Sequence, residues 1–276
     1  MTLINYSRNG SGAPPLVFVH AFGCDRTDWD NQVAAFAPRH DCVAVDLGGH
    51  GGMPARTEHS QVESHGADVA ELITHLNLTR SVVIGNSLGC RVALEVAARV
   101  PERTKALILI DGSRLGERGK ASNAALGNGT SAAGYKVAAK QMFAQMFGPD
   151  FDKARIAAMT ARAMQVEPEL GAALLADVGR HDAEHMDALL AAVRVPLLAI
   201  QSTMITPQGV RLSLTKGQTS PYLDMLREKV PGVEIEIIAG IGHYPQLERP
   251  AETNAMVKAF IGRLTQASIS HSKSGL

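Results

Sequence analysis

Residues 81–99 read SVVIGNSLGCRVALEVAAR, and this stretch decides the fold. Its first five residues form a short β-branched run that is typical of a buried strand, and residues 88–99 have the pattern of an amphipathic helix. Between them, residues 85–89 match G-x-S-x-G, which predicts a sharp turn from strand to helix with Ser87 at its tip. A serine placed there projects its hydroxyl above the edge of the sheet. Ser87 is therefore a candidate nucleophile.

The same alternation of strand and helix extends to both sides of this stretch. Apolar runs predict further strands at residues 16–20, 42–46, 106–111, 195–201 and 233–239, with a short one near residues 3–6. Amphipathic segments predict helices at residues 62–76, 221–229 and 251–264. Most runs are continuously apolar, as parallel strands buried on both faces are, so we predict an α/β fold with a mostly parallel, doubly wound sheet. Glutamates alternate with isoleucines in the last run, which predicts an edge strand.

The alternation is interrupted once, between residues 112 and 194. No segment there predicts a strand. Four segments predict helices, at residues 132–147, 151–166, 169–178 and 182–193. We predict a core domain of residues 1–111 and 195–276, with residues 112–194 as a helical cap on the carboxyl ends of the strands, where ligands bind in such sheets. Ordinary helices covering a sheet face are the alternative. Residues 268–276 are predicted to be frayed.

The composition limits the classes of function. The 276 residues include 27 Lys and Arg and 27 Asp and Glu, so the formal net charge is +0 and argues against nucleic-acid or membrane-surface binding. Cys24, Cys42 and Cys90 form no C-x-x-C pair, which favours unpaired thiols in a reducing compartment. We expect no secretory leader and no membrane span. The expectation is a cytoplasmic protein with a small-molecule substrate, as a monomer or small homo-oligomer.

The candidate general base follows the last predicted strand. Residues 240–245 read GIGHYP, and two glycines before His243 are typical of a loop that carries an imidazole over the sheet edge. The chain has ten histidines, but His243 alone combines this loop with a position at the end of a strand. Ser87 needs such a base, because a protonated hydroxyl is a weak nucleophile.

The order of Ser87 and His243, together with two further motifs, resembles the α/β-hydrolase family. The motifs are HAFG at residues 20–23 and DLGGHG at residues 46–51, and a tryptophan follows at position 29, where the family often has one. The resemblance spans about residues 3–264. It implies an oxyanion hole formed by the backbone N–H groups of Phe22 and Leu88, which would hold the negative oxygen of a tetrahedral intermediate. Ala21 departs from the family's usual glycine.

The catalytic acid has two possible positions in this family. The more common one, after the strand that precedes the histidine strand, reads QSTMIT at residues 201–206 and holds no carboxylate. The next acidic residue, Asp224, lies within a predicted helix. The other position, after the strand that follows the nucleophile helix, holds Asp111, which we predict to orient His243 and stabilise its imidazolium. A turn cap at Asp111 and a Ser–His pair without an acid are the alternatives.

The resemblance implies a serine hydrolase acting on ester bonds. The expected substrate is a small, partly apolar ester, lactone or related acyl compound, cleaved through an acyl-enzyme with no cofactor and no metal. One alternative is a ligand sensor with little turnover, because HAFGCD at residues 20–25 is similar to hydrolase-fold signalling proteins. Another is a C–C hydrolase, lyase or cofactor-free oxygenase using the same Ser–His site, since one fold hosts many reactions.

Residues 181–185, HDAEH, match the zinc-binding pattern H-x-x-E-H. No third ligand is evident. We therefore interpret this segment as the solvated face of a helix that begins at Asp182, not as a metal site.

Overall fold

A seven-stranded, mostly parallel sheet lies at the centre of the computed structural model, which describes residues 4–115, 131–206 and 208–273, with side chains up to residue 266. The strands are β1 (Tyr6–Asn9), β2 (Leu16–Val19), β3 (Cys42–Val45), β4 (Ser81–Asn86), β5 (Thr104–Ile110), β6 (Leu197–Gln201), β7 (Thr203–Ile205), β8 (Arg211–Ser213) and β9 (Glu234–Ile237). The sheet order is β1-β3-β2-β4-β5-β6-β9, and only the β1–β3 pair is antiparallel. The predicted fold class is confirmed, and so is the edge position of the last strand.

Ten α-helices accompany these strands within the described residues. They are α1 (Asp30–Phe36), α2 (Val62–His75), α3 (Leu88–Arg99), α4 (Ala132–Ala144), α5 (Lys153–Ala163), α6 (Pro168–Glu184), α7 (Met186–Ala192), α8 (Pro221–Lys229), α9 (Pro245–Glu248) and α10 (Pro250–Lys273). None of the described helices is long and apolar enough to cross a membrane.

The strands β2 to β6 are buried on both faces, which explains their continuous apolar runs. Along β2, Val17 and Val19 pack into a core with residues of α2 and α3, whereas Leu16 and Phe18 pack on the other face with residues of α1 and α10. All four side chains are fully buried. Burying a large aliphatic or aromatic side chain contributes about 1.5–3 kcal/mol, so these two cores hold helices on both faces of the sheet.

The structure differs from the prediction near both ends of the chain and in one hairpin. The first strand begins at Tyr6 and runs to Asn9 instead of lying near residues 3–6. The prediction of a frayed end is wrong for residues 268–273, because α10 continues through them; no Gly or Pro between residues 263 and 273 ends the helix. The hairpin formed by β7 and β8 was not predicted. Residues 274–276 lie outside the described part.

The helices α4 to α7 follow one another between β5 and β6, and we call residues 131–194 the helical insertion. The insertion packs against the loop after β2. The Phe22 and Tyr135 rings lie 6.2 Å apart, and a Cβ on Gly23 would come within 2.7 Å of the Ala163 Cβ. The helices therefore lie against the loop at the carboxyl end of β2. The domain limits at residues 112 and 194 stay a prediction, and residues 116–130 of that predicted cap lie outside the described residues.

Buried ion pairs connect the insertion to the nucleophile helix α3. Arg91 donates to both carboxylate oxygens of Asp182, at 2.7 and 2.6 Å, and His181 Nε2 lies 3.0 Å from Glu95 Oε1. All four residues are buried, so the interpretation of a solvated helix face is wrong for His181 and Asp182. The helix also does not begin at Asp182, since α6 runs from Pro168 to Glu184. Among the described residues, no three His, Cys, Asp or Glu side chains are placed to hold a metal ion.

Four buried histidines lie side by side in a row that starts at His20, in the loop after β2. Ring centroids are 5.3 Å apart for His20 and His50, 6.3 Å for His50 and His65, and 5.6 Å for His65 and His59, which stack. Neither ring nitrogen of His65 has a hydrogen-bond partner among the described residues. Burial lowers the pKa of His50 to about 4 and that of His65 to about 3.

This row makes stability depend on pH. The folded-state pKa values of His50 and His65 lie below the unfolded value of about 6.5, so the unfolded chain takes up protons first as the pH falls. Their contribution to stability is complete above about pH 6.5 and is lost progressively as the pH falls towards their folded-state values. Replacing His65 with phenylalanine removes one of the side chains that take up a proton when the chain unfolds. In urea unfolding, the free energy of unfolding of His65→Phe should therefore fall by about 2 kcal/mol less than that of wild type between pH 7 and pH 5.

The matched control for that measurement is His75→Phe, at an exposed position on the same helix α2. It should keep the wild-type pH dependence. An equal loss of stability in His65→Phe and wild type would contradict the prediction.

Candidate active site

Ser87 occupies a strained turn between β4 and α3. Its backbone has φ 56° and ψ −108°, a conformation that a non-glycine residue adopts only when its surroundings impose it. The two glycines of the motif make this possible by close approach: a Cβ on Gly85 would lie 2.0 Å from the Gly89 carbonyl oxygen, and one on Gly89 would lie 2.2 Å from that of Val19. The nucleophile helix thus starts tightly against the sheet, with the predicted nucleophile at its first turn.

His243 and Asp111 come together at the carboxyl end of the sheet. Asp111 follows β5, His243 lies in the loop after β9, and His243 Nδ1 donates to Asp111 Oδ2 at 2.5 Å. Both side chains are fully buried. Because a carboxylate only accepts, Nδ1 carries the proton and Nε2 keeps its lone pair. That Nε2 atom is buried without a hydrogen-bond partner among the described residues.

Hydrogen bonds of Asn86 connect the His243 loop to the turn that carries Ser87. Asn86 Nδ2 donates to the His243 carbonyl oxygen at 3.3 Å, and Gln246 Nε2 donates to Asn86 Oδ1 at 3.1 Å. The histidine loop is thereby attached to the residue that precedes Ser87. No hydrogen bond joins Ser87 Oγ to His243 Nε2 in the structure.

Asp111 is surrounded by donors that sequence reasoning missed. Its carboxylate accepts the backbone N–H groups of Ser202 and Thr203, both at 2.7 Å, the Thr203 hydroxyl at 2.5 Å and Arg211 Nη1 at 3.3 Å. Residues 201–206 hold no carboxylate. They supply instead the hydrogen bonds that hold a carboxylate on the neighbouring strand, and the adjacent hydroxyls of Ser202 and Thr203 were the available signal.

These contacts keep both groups in the forms that a triad needs. Burial would raise the pKa of Asp111, but the hydrogen bond from His243, the Arg211 charge and the Thr203 hydroxyl outweigh it and lower that pKa. For His243, burial and then the positive charge of Arg211 lower the pKa to about 4, against the opposing effect of Asp111. The arrangement therefore pairs an ionised carboxylate with a neutral imidazole at pH 7.

The two predicted oxyanion donors lie at turns with free backbone N–H groups. Leu88 is the first residue of α3, so its N–H has no partner within the helix. The N–H of Phe22, in the loop after β2, makes no hydrogen bond among the described residues either. His20 orients this loop, since its Nδ1 donates to the Ala21 carbonyl at 2.7 Å while its Nε2 accepts the Leu47 N–H at 3.0 Å.

Comparison with known proteins identifies the family. A family model described as "Alpha/beta hydrolase family" matches residues 16–256. The chain belongs to the alpha/beta hydrolase family. The resemblance stated from the HAFG, DLGGHG and G-x-S-x-G motifs is thus confirmed.

Among curated proteins, this alpha/beta hydrolase is similar to the dihydrolipoyllysine-residue acetyltransferase component of the acetoin cleaving system of Pseudomonas putida. The two are 26% identical over 264 residues, which cover 93% of this chain and 65% of that protein. The chain spans about two thirds of the length of the first curated relatives that it matches.

Two solved structures share the fold. One is a thermophilic esterase from Thermogutta terrifontis, with a TM-score of 0.77 and 22% identity over 95% of this chain and 93% of that one. The other is the enol-lactonase from Burkholderia xenovorans LB400, with a TM-score of 0.76 and 21% identity over 94% of this chain and 96% of that one. At these identities the likeness establishes the architecture.

The titration of His243 tests the electrostatics of this site without any substrate. The imidazole should titrate near pH 4, and Arg211→Gln should raise its pKa by about one unit, because a positive neighbour that opposes protonation is removed. The measurement is the pH dependence of the His243 imidazole resonances in NMR spectra. Arg227→Gln, at an exposed arginine of α8, is the control and should leave them unchanged. Identical titration of His243 in wild type and Arg211→Gln would refute this account.

Proposed function

We propose that this alpha/beta hydrolase cleaves a small, partly apolar ester, lactone or related acyl compound through an acyl-enzyme on Ser87. One observation carries the proposal. His243 is buried with Nδ1 fixed on Asp111 and Nε2 left without a partner, and its backbone is hydrogen-bonded to Asn86, the residue before the strained turn at Ser87. An imidazole held in this tautomer is the general base that a serine nucleophile needs.

In the proposed reaction, Ser87 Oγ attacks the carbonyl carbon while His243 Nε2 takes its proton. Asp111 stabilises the resulting imidazolium, and the N–H groups of Phe22 and Leu88 bind the oxygen that becomes negative. When the tetrahedral intermediate collapses, the C–O bond to the leaving group breaks and His243 returns the proton to the departing alcohol. A water molecule, deprotonated by the same imidazole, then attacks the acyl-enzyme, releases the acid and restores Ser87.

The apolar character of the substrate is inferred from the surfaces beside the oxyanion loop. Phe143, Met146 and Met159 of the insertion pack in one buried cluster with Ala21 and Cys24 of that loop. Aromatic and methionine side chains are typical of adaptable apolar pockets. The esterase and the enol-lactonase that share the fold act, by their descriptions, on compounds of the class proposed here.

The catalytic assignment is tested with a short-chain aryl ester. Ser87→Ala should lower kcat by a factor on the order of 10⁵ and abolish labelling by a serine-directed phosphonate, since it removes the nucleophile. Asp111→Asn should lower kcat by about 10⁴-fold, because the amide no longer fixes the imidazole tautomer. Circular dichroism checks that both variants are folded. Undiminished hydrolysis by Ser87→Ala would remove Ser87 from the mechanism, and one turnover per wild-type molecule would favour the sensor alternative.

A second candidate function is transfer of the acyl group to a thiol. It is favoured by the similarity, over 93% of this chain, to a protein described as a dihydrolipoyllysine-residue acetyltransferase component. The same acyl-enzyme would serve, with the thiol replacing water as the second nucleophile. Adding dihydrolipoamide to the ester reaction distinguishes the two functions. Hydrolysis predicts free acid as the main product, whereas transfer predicts a thioester that accumulates faster than the acid and is lost in Ser87→Ala.

A further inference from the structure

A cavity of about 830 Å³ is lined by Gly112, which follows Asp111, and by Thr203 and Arg211, which contact the Asp111 carboxylate. The loop after β5, the β7–β8 hairpin and the start of α8 surround it, and its polar lining includes Ser113, Gln201, Thr203, Arg211, Ser220 and Tyr222. Neither Ser87 nor His243 belongs to the described residues that line it. Its volume is that of ordinary small-molecule pockets. The reaction proposed above uses no part of this space.

Arg211 presents one edge of its guanidinium to this cavity. Its Nη1 atom is fully used, since it donates to Thr203 Oγ1 at 2.6 Å and to Asp111 Oδ2 at 3.3 Å. The Nε and Nη2 atoms make no hydrogen bond among the described residues, and Arg211 lines the cavity. The Nε–Nη2 edge of a guanidinium matches the two oxygens of a carboxylate, which it binds with two parallel hydrogen bonds.

Two further features on α8 favour an anion at the same place. The Tyr222 hydroxyl lines the cavity and makes no hydrogen bond among the described residues. It rests against the backbone next to Asp111, where a Cβ on Gly112 would lie 2.3 Å from the hydroxyl oxygen. Ser220 and Pro221, at the N-terminus of the nine-residue helix α8, also line the cavity, and a helix N-terminus favours negative charge.

Gln201 adds an acceptor beside Arg211. Its Nε2 donates to the carbonyl oxygens of Gly112 and Thr203, both at 2.8 Å, which fixes the orientation of the amide. The Oε1 atom is buried without a partner, and the side chain is 1% exposed. Thr203 holds both neighbours, Gln201 through its carbonyl and Arg211 through its hydroxyl. A donor of the ligand next to its carboxylate would satisfy Gln201 Oε1.

The acidic side chains of the cavity are already paired. Asp187 lies 3.1 Å from Arg114, Asp224 lies 2.9 Å from Arg227, and Glu228 lies 2.9 Å from Lys229. Each of these three lining carboxylates therefore already forms an ion pair with a neighbouring side chain. The free hydrogen-bond donors among the described lining residues include one cationic group, the Nε–Nη2 edge of Arg211, and the Tyr222 hydroxyl.

We infer that this cavity binds a small organic acid with a hydroxyl group next to its carboxylate. The carboxylate lies on the Nε–Nη2 edge of Arg211 and accepts from the Tyr222 hydroxyl, and the neighbouring hydroxyl donates to Gln201 Oε1. Met204 and Met225 also line the cavity and provide apolar contact for the rest of the molecule. Because Arg211 also touches Asp111, an occupied cavity is coupled to the predicted triad.

The test is isothermal titration calorimetry with mandelate at pH 7, which requires no catalytic turnover. Wild type should bind mandelate saturably. Mandelamide, which lacks the charge, should bind about tenfold more weakly or worse, and phenylacetate, which lacks only the hydroxyl, about threefold more weakly. Arg211→Gln should weaken mandelate binding by about tenfold or more and Tyr222→Phe by about threefold. Arg39→Gln, which changes an exposed arginine that does not line the cavity, should bind mandelate as wild type does.

Absence of saturable mandelate binding by wild type would overturn the inference. Equal affinity in wild type, Arg211→Gln and Tyr222→Phe would also overturn it, because mandelate would then bind elsewhere. If circular dichroism shows that Arg211→Gln is unfolded, the inference is judged from Tyr222→Phe and from the affinities of wild type for mandelate, mandelamide and phenylacetate. Failure of the proposed ester hydrolysis would leave this binding measurement unaffected.

Discussion

The candidate active site of this protein depends on the contacts of one buried carboxylate, that of Asp111. A fully buried charge is tolerated only when donors surround it, and removing one partner of such a group typically costs about 3–5 kcal/mol. Asp111 collects its donors from the start of the β7–β8 hairpin, from Arg211 and from the histidine loop. One charge at the end of β5 therefore holds the β7–β8 hairpin and the His243 loop together.

The parallel sheet explains why so much of this edge can be predicted from sequence. Continuous apolar runs predict strands buried on both faces, and the carboxyl ends of such strands meet at one edge. The pairing of Ile110 with Ile200 places Asp111 next to the residues that follow β6. Ser87, Asp111 and His243 each follow a predicted strand, so their common location needed no knowledge of the loops. The bounds of α3 and α8 also agree with the sequence pattern, because Ser87 and Ser220 mark their starts.

The parts that sequence reasoning missed depend on contacts between distant residues. Arg211 lies 100 positions from Asp111, in a hairpin whose strands have three residues each, too few to show a periodicity. Asp182 lies 91 positions from Arg91, and its charge looks like that of a surface helix until its partner is known. Burial of a polar residue follows from pairing, and pairing between such distant residues leaves no local pattern.

The insertion also holds the loop that carries the proposed base. The Met146 carbonyl accepts the backbone N–H of His243 at 2.6 Å, and one oxygen of Glu248 accepts the N–H groups of Gly148 and Gly242, both at 3.0 Å. The histidine loop is thus held from the insertion on one side and from Asp111 on the other. A change in the insertion that served substrate choice would also move the imidazole. Under the proposed function, these backbone contacts couple substrate preference to the position of the base, so substitutions near Met146 would act on both together.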